Sequence, residues 1–164
     1  WITYDASNIG SSTGKDRYIQ IQGQIAFALI QKLRARNAEF KNIFIITPFT
    51  SVAQGFRTYM QSISDDVVNW TDKDNKSGWL KDNIGTVHTF QGKEANVVIY
   101  MLGCQSDGTA NGAIKWVNAN NVNVAFTRAK EYIYVIGDAT KWAELNKNLA
   151  FAQRYLPIYT LEDI

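Results

Sequence analysis

The chain alternates short apolar runs with longer segments of helical spacing. "WITY" (1–4), "NIFIIT" (42–47), "IGTV" (84–87), "NVVIYMLG" (96–103) and "YIYVIG" (132–137) have the length and the β-branched or aromatic content of strands. Within them "FIIT", "VVIY" and "YVI" are continuous rather than alternating, the pattern of strands covered on both faces of a parallel sheet. Over residues 18–36, Ile21, Ile25, Leu29 and Leu33 recur every four positions with Ile30 alongside, which makes one apolar stripe of a helix. Residues 118–130 and 140–154 also read as helices, the latter with Asp138 or Thr140 as N-cap. The polar stretches 60–83 and 104–117, with Gly78, Gly108 and Gly112, read as surface loops. Strands alternating with helices predict an α/β fold: a three-layer domain with a mostly parallel central sheet. Ligands of such sheets gather outside the carboxyl ends of the strands, so attention falls on the residues after Thr47, Val87, Gly103 and Gly137.

Composition narrows the classes. A length of 164 residues suits one domain spanning 1–164, and 46% hydrophobic with 13% aromatic residues excludes a disordered chain. No apolar run approaches the ~20 residues of a membrane helix, and no signal peptide is apparent, so no membrane partner is expected. The first residue is Trp1 rather than Met, which reads as a piece of a longer polypeptide. Cys104 is the only cysteine, which forbids an intramolecular disulfide and fits a reducing, cytoplasmic setting. With His88 the only histidine, a zinc site has almost no ligands to draw on, and no metal site is expected. A net charge of +2 is too small for general adhesion to nucleic acid, so any such contact needs a local groove of hydroxyls, amides and a few cations.

The stretch "GSSTGKD" (10–16) lies between a predicted strand and a predicted helix, where a phosphate loop belongs. Its Gly10 and Gly14 are separated by three residues instead of four, and Asp16 stands where a hydroxyl binds magnesium. It reads as a flexible loop. The paired acids of an ATPase strand are also missing: "VVIYMLG" runs into Cys104 and Gln105, and "YVIGD" ends in the single Asp138. The chain is not expected to hydrolyse a nucleotide unaided.

Three other segments carry candidate chemistry. In "ITPFTSVAQGFR" (46–57) a strand ends at Thr47, Pro48 stops the ladder, and Phe49 either stacks on a base or leans on the core. "GTVHTFQGKE" (85–94) offers hydroxyls, an imidazole, an amide, a glycine, a cation and a carboxylate in close succession. Thr86 and His88 can donate to backbone phosphates, Gly92 permits close backbone approach, and Glu94 can accept from ribose hydroxyls. The alternative is a polar turn with a satisfied strand-end histidine. In "NVAFTRAK" (123–130), Val122, Ala125, Phe126 and Ala129 form the buried stripe of a helix, with Arg128 on one flank. A planar guanidinium suits the charge developing on a transferring phosphoryl group; a snorkelling or ion-paired surface arginine is the plainer reading.

In this order and spacing, "IITPF", "GTVHTFQGKEANVVI" and "NVNVAFTRAKEYIYVIGD" resemble the late motifs of superfamily 1 helicases, closest to the B subgroup typified by the nonsense-mediated-decay helicase. The resemblance covers essentially the whole chain and implies the second, C-terminal of two RecA-like motor domains. It implies that Arg128 is an arginine finger, catalytic toward ATP held with Mg2+ by the first motor domain. It implies nucleotide contacts from Gln91, Gly92, Lys93 and Glu94, and contacts to single-stranded DNA or RNA from Thr47, Pro48, Phe49, Thr86, His88 and Thr89. Two departures stand out. The acidic residue usual early in the first helix is replaced by Gln22 or Gln24, and Gln54 lies further from Pro48 than in the common pattern. The expected function is therefore the second motor domain of an ATP-dependent DNA or RNA helicase. The rivals are a degenerate motor domain kept as a nucleic-acid or protein scaffold, and a stand-alone nucleotide-binding domain using Gly14 and Lys15.

Overall fold

The computed structural model describes residues 1–4, 17–68, 70–71, 74–104 and 110–163. The loop "GSSTGKD", with Gly10, Gly14, Lys15 and Asp16, and the positions of Gln105 and Gly108 lie outside the described residues.

Strands β1 (Ile43–Thr47), β2 (Ile84–Thr86), β3 (Ala95–Met101) and β4 (Ala129–Ile136) form one sheet of order β2-β1-β3-β4. All three pairings are parallel. The continuous apolar runs explain which strands lie inside: every residue of β1 is buried, as is every residue of β3 except the half-buried Asn96. β4 is the outer strand, and Glu131 and Tyr132 are exposed. Beyond it the first run, "WITY", contributes two isolated parallel bridges, both at Ile2, which pairs with Ile136 and with Tyr159.

Helices α1 (Gln20–Ala35), α2 (Thr50–Ser62), α3 (Lys76–Asp82), α4 (Ala110–Trp116), α5 (Ala119–Thr127), α6 (Ala139–Leu145) and α7 (Lys147–Gln153) surround the sheet. The predicted stripe of α1 buries Ile25, Leu29 and Ile30. Its end is set by Asn37, whose φ of 66° is left-handed, with Ala38 N–H donating to the Leu33 carbonyl at 3.0 Å and Asn37 N–H to that of Arg34 at 2.9 Å. That pair of bonds is a Schellman stop.

The winding positions the two edges of the sheet. From β1 the chain passes through α2 and α3 to β2 on one side, whereas from β3 it passes through α4 and α5 to β4 on the other. Right-handed crossovers in opposite directions place their helices on opposite faces. Consistent with this, α2 touches α1, β1 and β2, and α5 touches α7, β3 and β4. From β2 the chain returns over β1 to β3 by a 3₁₀ turn, Val87–Phe90. Phe90 is fully buried, with its ring centroid 4.6 Å from that of Phe44. This contact pins the turn to the sheet.

Candidate functional site

The structure divides the residues singled out above into two groups at opposite edges of the sheet. At the carboxyl edge stand Thr47, at the end of β1, and Thr86, its register partner at the end of β2. Thr47 is fully buried and its hydroxyl accepts from Phe49 N–H at 3.3 Å, so this side chain shapes the strand-to-helix turn. Pro48 is buried too. Phe49 caps the start of α2 with a ring only 8% exposed, and the guanidinium carbon of Arg17 lies 5.0 Å from its centroid. The groups presented to solvent here are the half-buried Thr86 and the exposed His88 and Thr89.

The second group lies at the amino edge, away from the carboxyl ends where sequence reasoning looked first. Gln91 (φ −57°, ψ 123°) and Gly92 (φ 76°) are the central residues of a type II turn closed by Lys93 N–H donating to the Phe90 carbonyl at 3.0 Å. The turn delivers Gln91, Gly92, Lys93 and Glu94, all exposed, to the start of β3. Thirty-odd residues later α5 ends at Thr127, and Arg128 is its C-cap rather than a flank residue of a longer helix, because Ala129 already pairs with Ala95. The carbonyl of Arg128 accepts from Ala95 N–H at 3.0 Å, which fastens its backbone to the first residue of β3.

The Arg128 side chain then reaches along this edge. Nη1 donates to the Lys93 carbonyl and Nη2 to the Thr127 hydroxyl, each at 3.2 Å. Nε is buried without an acceptor. Both acceptors are neutral, so neither forms an ion pair with the guanidinium, and the negative end of the α5 dipole favours a cation there. Alongside, Lys130 Nζ lies 3.7 Å from the Glu94 carboxylate, both side chains 55% exposed. Arg128, Lys93 and Lys130 stand here against Glu94 and, next to Lys130 in β4, Glu131, which accepts from Asn96 Nδ2 at 2.7 Å. The donor set suits polyanionic phosphate plus a hydroxyl-bearing group, and it holds no carboxylate cluster for a cation. Among the described residues no group of three or more His, Cys, Asp and Glu side chains converges anywhere.

A family model described as an AAA domain matches residues 1–140. The chain belongs to that family. The match covers every strand and the helix bearing Arg128, and it supports a superfamily 1 helicase-type domain. No curated protein matches the chain. The helicase-type AAA domain is α/β with an all-parallel sheet between helices, as its apolar runs predict. Among the described residues no helix is long and apolar enough to cross a membrane.

Some participants carry no signal in the sequence. Thr127, within "NVAFTRAK", is not among the candidates singled out by sequence, yet its hydroxyl accepts from Arg128 Nη2. Gln22, one of two candidates for the missing acidic residue, is fully buried, whereas Gln24 is exposed. Gln22 accepts from Gly103 N–H at 2.8 Å and donates to the Tyr4 hydroxyl at 2.6 Å. It is therefore a brace between α1, the chain start and the end of β3. Gln54 is exposed on α2.

Proposed function

We propose that this domain is the second motor domain of an ATP-dependent helicase of the B subgroup of superfamily 1, acting on single-stranded DNA or RNA. The observation that carries this reading is the amino-edge constellation: a guanidinium with neutral acceptors only, next to an exposed glutamate and a glycine turn. A finger that serves a neighbouring active site must arrive uncompensated, since a carboxylate partner would have to be stripped away on every cycle. In this reading ATP is substrate and lies with Mg2+ on the first motor domain of the same polypeptide. Arg128 stabilises charge on the γ-phosphoryl oxygens, Glu94 accepts from the sugar hydroxyls, and Gln91, Gly92 and Lys93 line the same side. At the other edge Thr86, His88 and Thr89 hold the backbone of one strand, with Thr47, Pro48 and Phe49 shaping the turn beneath it. Different affinities for the closed and open cleft then convert hydrolysis into movement along the strand.

The test is Arg128→Ala in the intact protein. An arginine finger contributes about 10³–10⁵ in rate, so strand-stimulated ATPase is expected to fall by orders of magnitude. Activity within about twofold of wild type, ~0.4 kcal/mol, removes the assignment.

A further inference from the structure

We infer that Arg17 is a phosphate contact for the nucleic-acid strand, seated where the sheet reverses its winding. The inference takes its ligand class from the proposed function; its position comes from geometry alone. The order β2-β1-β3-β4 sends the chain one way from β1 and the other way from β3, so the gap between the carboxyl ends of β1 and β3 is the switch point of the sheet. Open α/β sheets take their ligands at such a point.

Arg17 is built into that gap by its backbone. Cys104 N–H, just past the end of β3, donates to the Arg17 carbonyl at 2.8 Å. Gly103 and Cys104 both turn left-handed to make this bond, with φ of 66° and 70°. A Cβ on Gly103 would stand 2.6 Å from the Arg17 carbonyl oxygen and 2.4 Å from Val52 Cγ2, so the approach tolerates only glycine. From this anchor the side chain crosses to the β1 side of the gap and lies over the Phe49 ring. A ring face holds a guanidinium in place without neutralising it.

Two other arginines differ from Arg17 in having their donors taken. Arg34 also covers a ring, that of Phe40 at 4.4 Å, but it is paired with Asp74 at 3.1 Å. Arg57 spends its donors on the carbonyls of Leu80 and Ile84, tying α2 to the start of β2. Among the described residues, no carboxylate lies within ion-pair distance of Arg17 and no acceptor takes its guanidinium N–H groups. A planar fork with free donors matches two phosphate oxygens at once. Thr86, the register partner of Thr47 on the adjacent strand, and His88 lie on this same edge beyond β1, so one strand laid along the edge meets them and Arg17 in turn. Phe49 itself is covered; the group that the "ITPF" turn offers to a strand is the guanidinium resting on it.

The experiment measures binding of labelled oligothymidylate and oligouridylate to the intact protein across a salt series. Arg17→Gln removes the charge, Arg17→Met removes it while keeping an apolar cover on Phe49, and Arg17→Lys retains it. Both neutral variants are expected to weaken binding at low salt by about 3- to 10-fold and to flatten the log–log salt dependence by about 0.7, one phosphate on a single strand, with the lysine variant keeping the slope. The KM for ATP should hold within about twofold in all three, ~0.4 kcal/mol. Wild-type slope and affinity in a folded neutral variant overturn the inference, as does a loss that appears in the KM for ATP instead. Should Arg128→Ala abolish ATPase while Arg17 variants bind normally, this inference alone falls. Should the wild-type protein bind no strand, the proposed function falls and takes this inference with it.

Discussion

The Arg128 guanidinium donates to the backbone carbonyl of Lys93 at 3.2 Å, joining two segments that precede adjacent parallel strands. Parallel strands begin at the same edge, so the residue before β4 and the residues before β3 are neighbours however far apart they are in sequence. The relationship is doubled by the Ala95 N–H bond to the Arg128 carbonyl at 3.0 Å and by the Lys130–Glu94 pair. What aims the side chain is local. The Thr127 hydroxyl donates to the Asn123 carbonyl at 2.9 Å and is thereby oriented to accept from Arg128 Nη2.

If Arg128 is the finger proposed above, Thr127 is expected to be a positioning residue for it. A neutral hydrogen bond contributes about 0.5–1.5 kcal/mol net, so Thr127→Val should lower the kcat of strand-stimulated ATPase by about 3- to 10-fold. Thr127→Ser should restore most of it, and the KM for ATP should be unaffected. In an Arg128→Ala background the valine substitution should have no further effect, because coupled residues are not additive. Equal and additive losses in both backgrounds would show that Thr127 acts elsewhere.

Gly92 makes a separate demand. As the second central residue of the 90–93 turn it holds φ at 76°, yet the position a Cβ would take is open, with nothing within 4 Å. The cost of substitution is therefore backbone strain, without steric clash. Gly92→Ala should destabilise the fold by about 1–2 kcal/mol in urea unfolding, and Gly92→Asn by less, since asparagine tolerates the left-handed region. Equal stability of all three proteins would mean that the turn changes type freely.

The sheet was legible because β1 and β3 are buried on both faces and so read as unbroken apolar runs. Segments ruled by distant partners were not. Residues 118–130 read as one helix since Val122, Ala125, Phe126 and Ala129 keep helical spacing, but the ladder to Ala95 draws Ala129 and Lys130 into β4. The predicted helix 140–154 is two, because the buried Asn146 donates to the carbonyls of Ile114 and Val117, each at 2.7 Å, and its side-chain oxygen starts α7 by accepting from Asn148 and Leu149 N–H. The supposed loop 60–83 contains α3, too short to show a period, capped by Asn75 and anchored by the Trp79 indole on the Phe40 carbonyl at 2.8 Å. "WITY" has strand composition but pairs only through Ile2. Likewise no local pattern says that Arg128 meets Lys93; the family resemblance grouped them, and the register of β3 with β4 is the physical reason.

Gln22 supplies a test of the carboxyl edge that is independent of catalysis. Its side chain is fully buried, and Gly103 N–H has its oxygen as acceptor at 2.8 Å. Gln22→Ala leaves that N–H and the Tyr4 hydroxyl unpaired and opens a void, so it should cost about 2–4 kcal/mol. Tyr4→Phe removes only the 2.6 Å bond from Gln22 and should cost about 1 kcal/mol. A Gln22 substitution no more costly than the Tyr4 one, by chemical denaturation, would place the bracing elsewhere.

Tyr100 predicts how the fold fails in alkali. The side chain is fully buried in β3 and its hydroxyl has no hydrogen-bond partner. Burial raises its pKa well above the ordinary 10.0, because the phenolate cannot be solvated there. The unfolded chain therefore releases this proton at lower pH than the folded one. Stability is complete below pH about 10 and falls as the pH rises beyond it toward the raised folded value, by about 1.4 kcal/mol per pH unit for this group. Tyr4 is raised as well, chiefly by burial and partly offset by its bond with Gln22, and it adds to the slope. Tyr100→Phe should be neutral or stabilising by up to about 1 kcal/mol at neutral pH, since it removes an unsatisfied buried polar atom at little change in shape. It should also remove the share of Tyr100 in the alkaline slope, leaving that of Tyr4 and those of Tyr59 and Tyr134, which burial raises as well. Urea midpoints between pH 8 and about 11 for the two proteins decide it: parallel curves would mean that Tyr100 ionises only after the domain has opened for another reason.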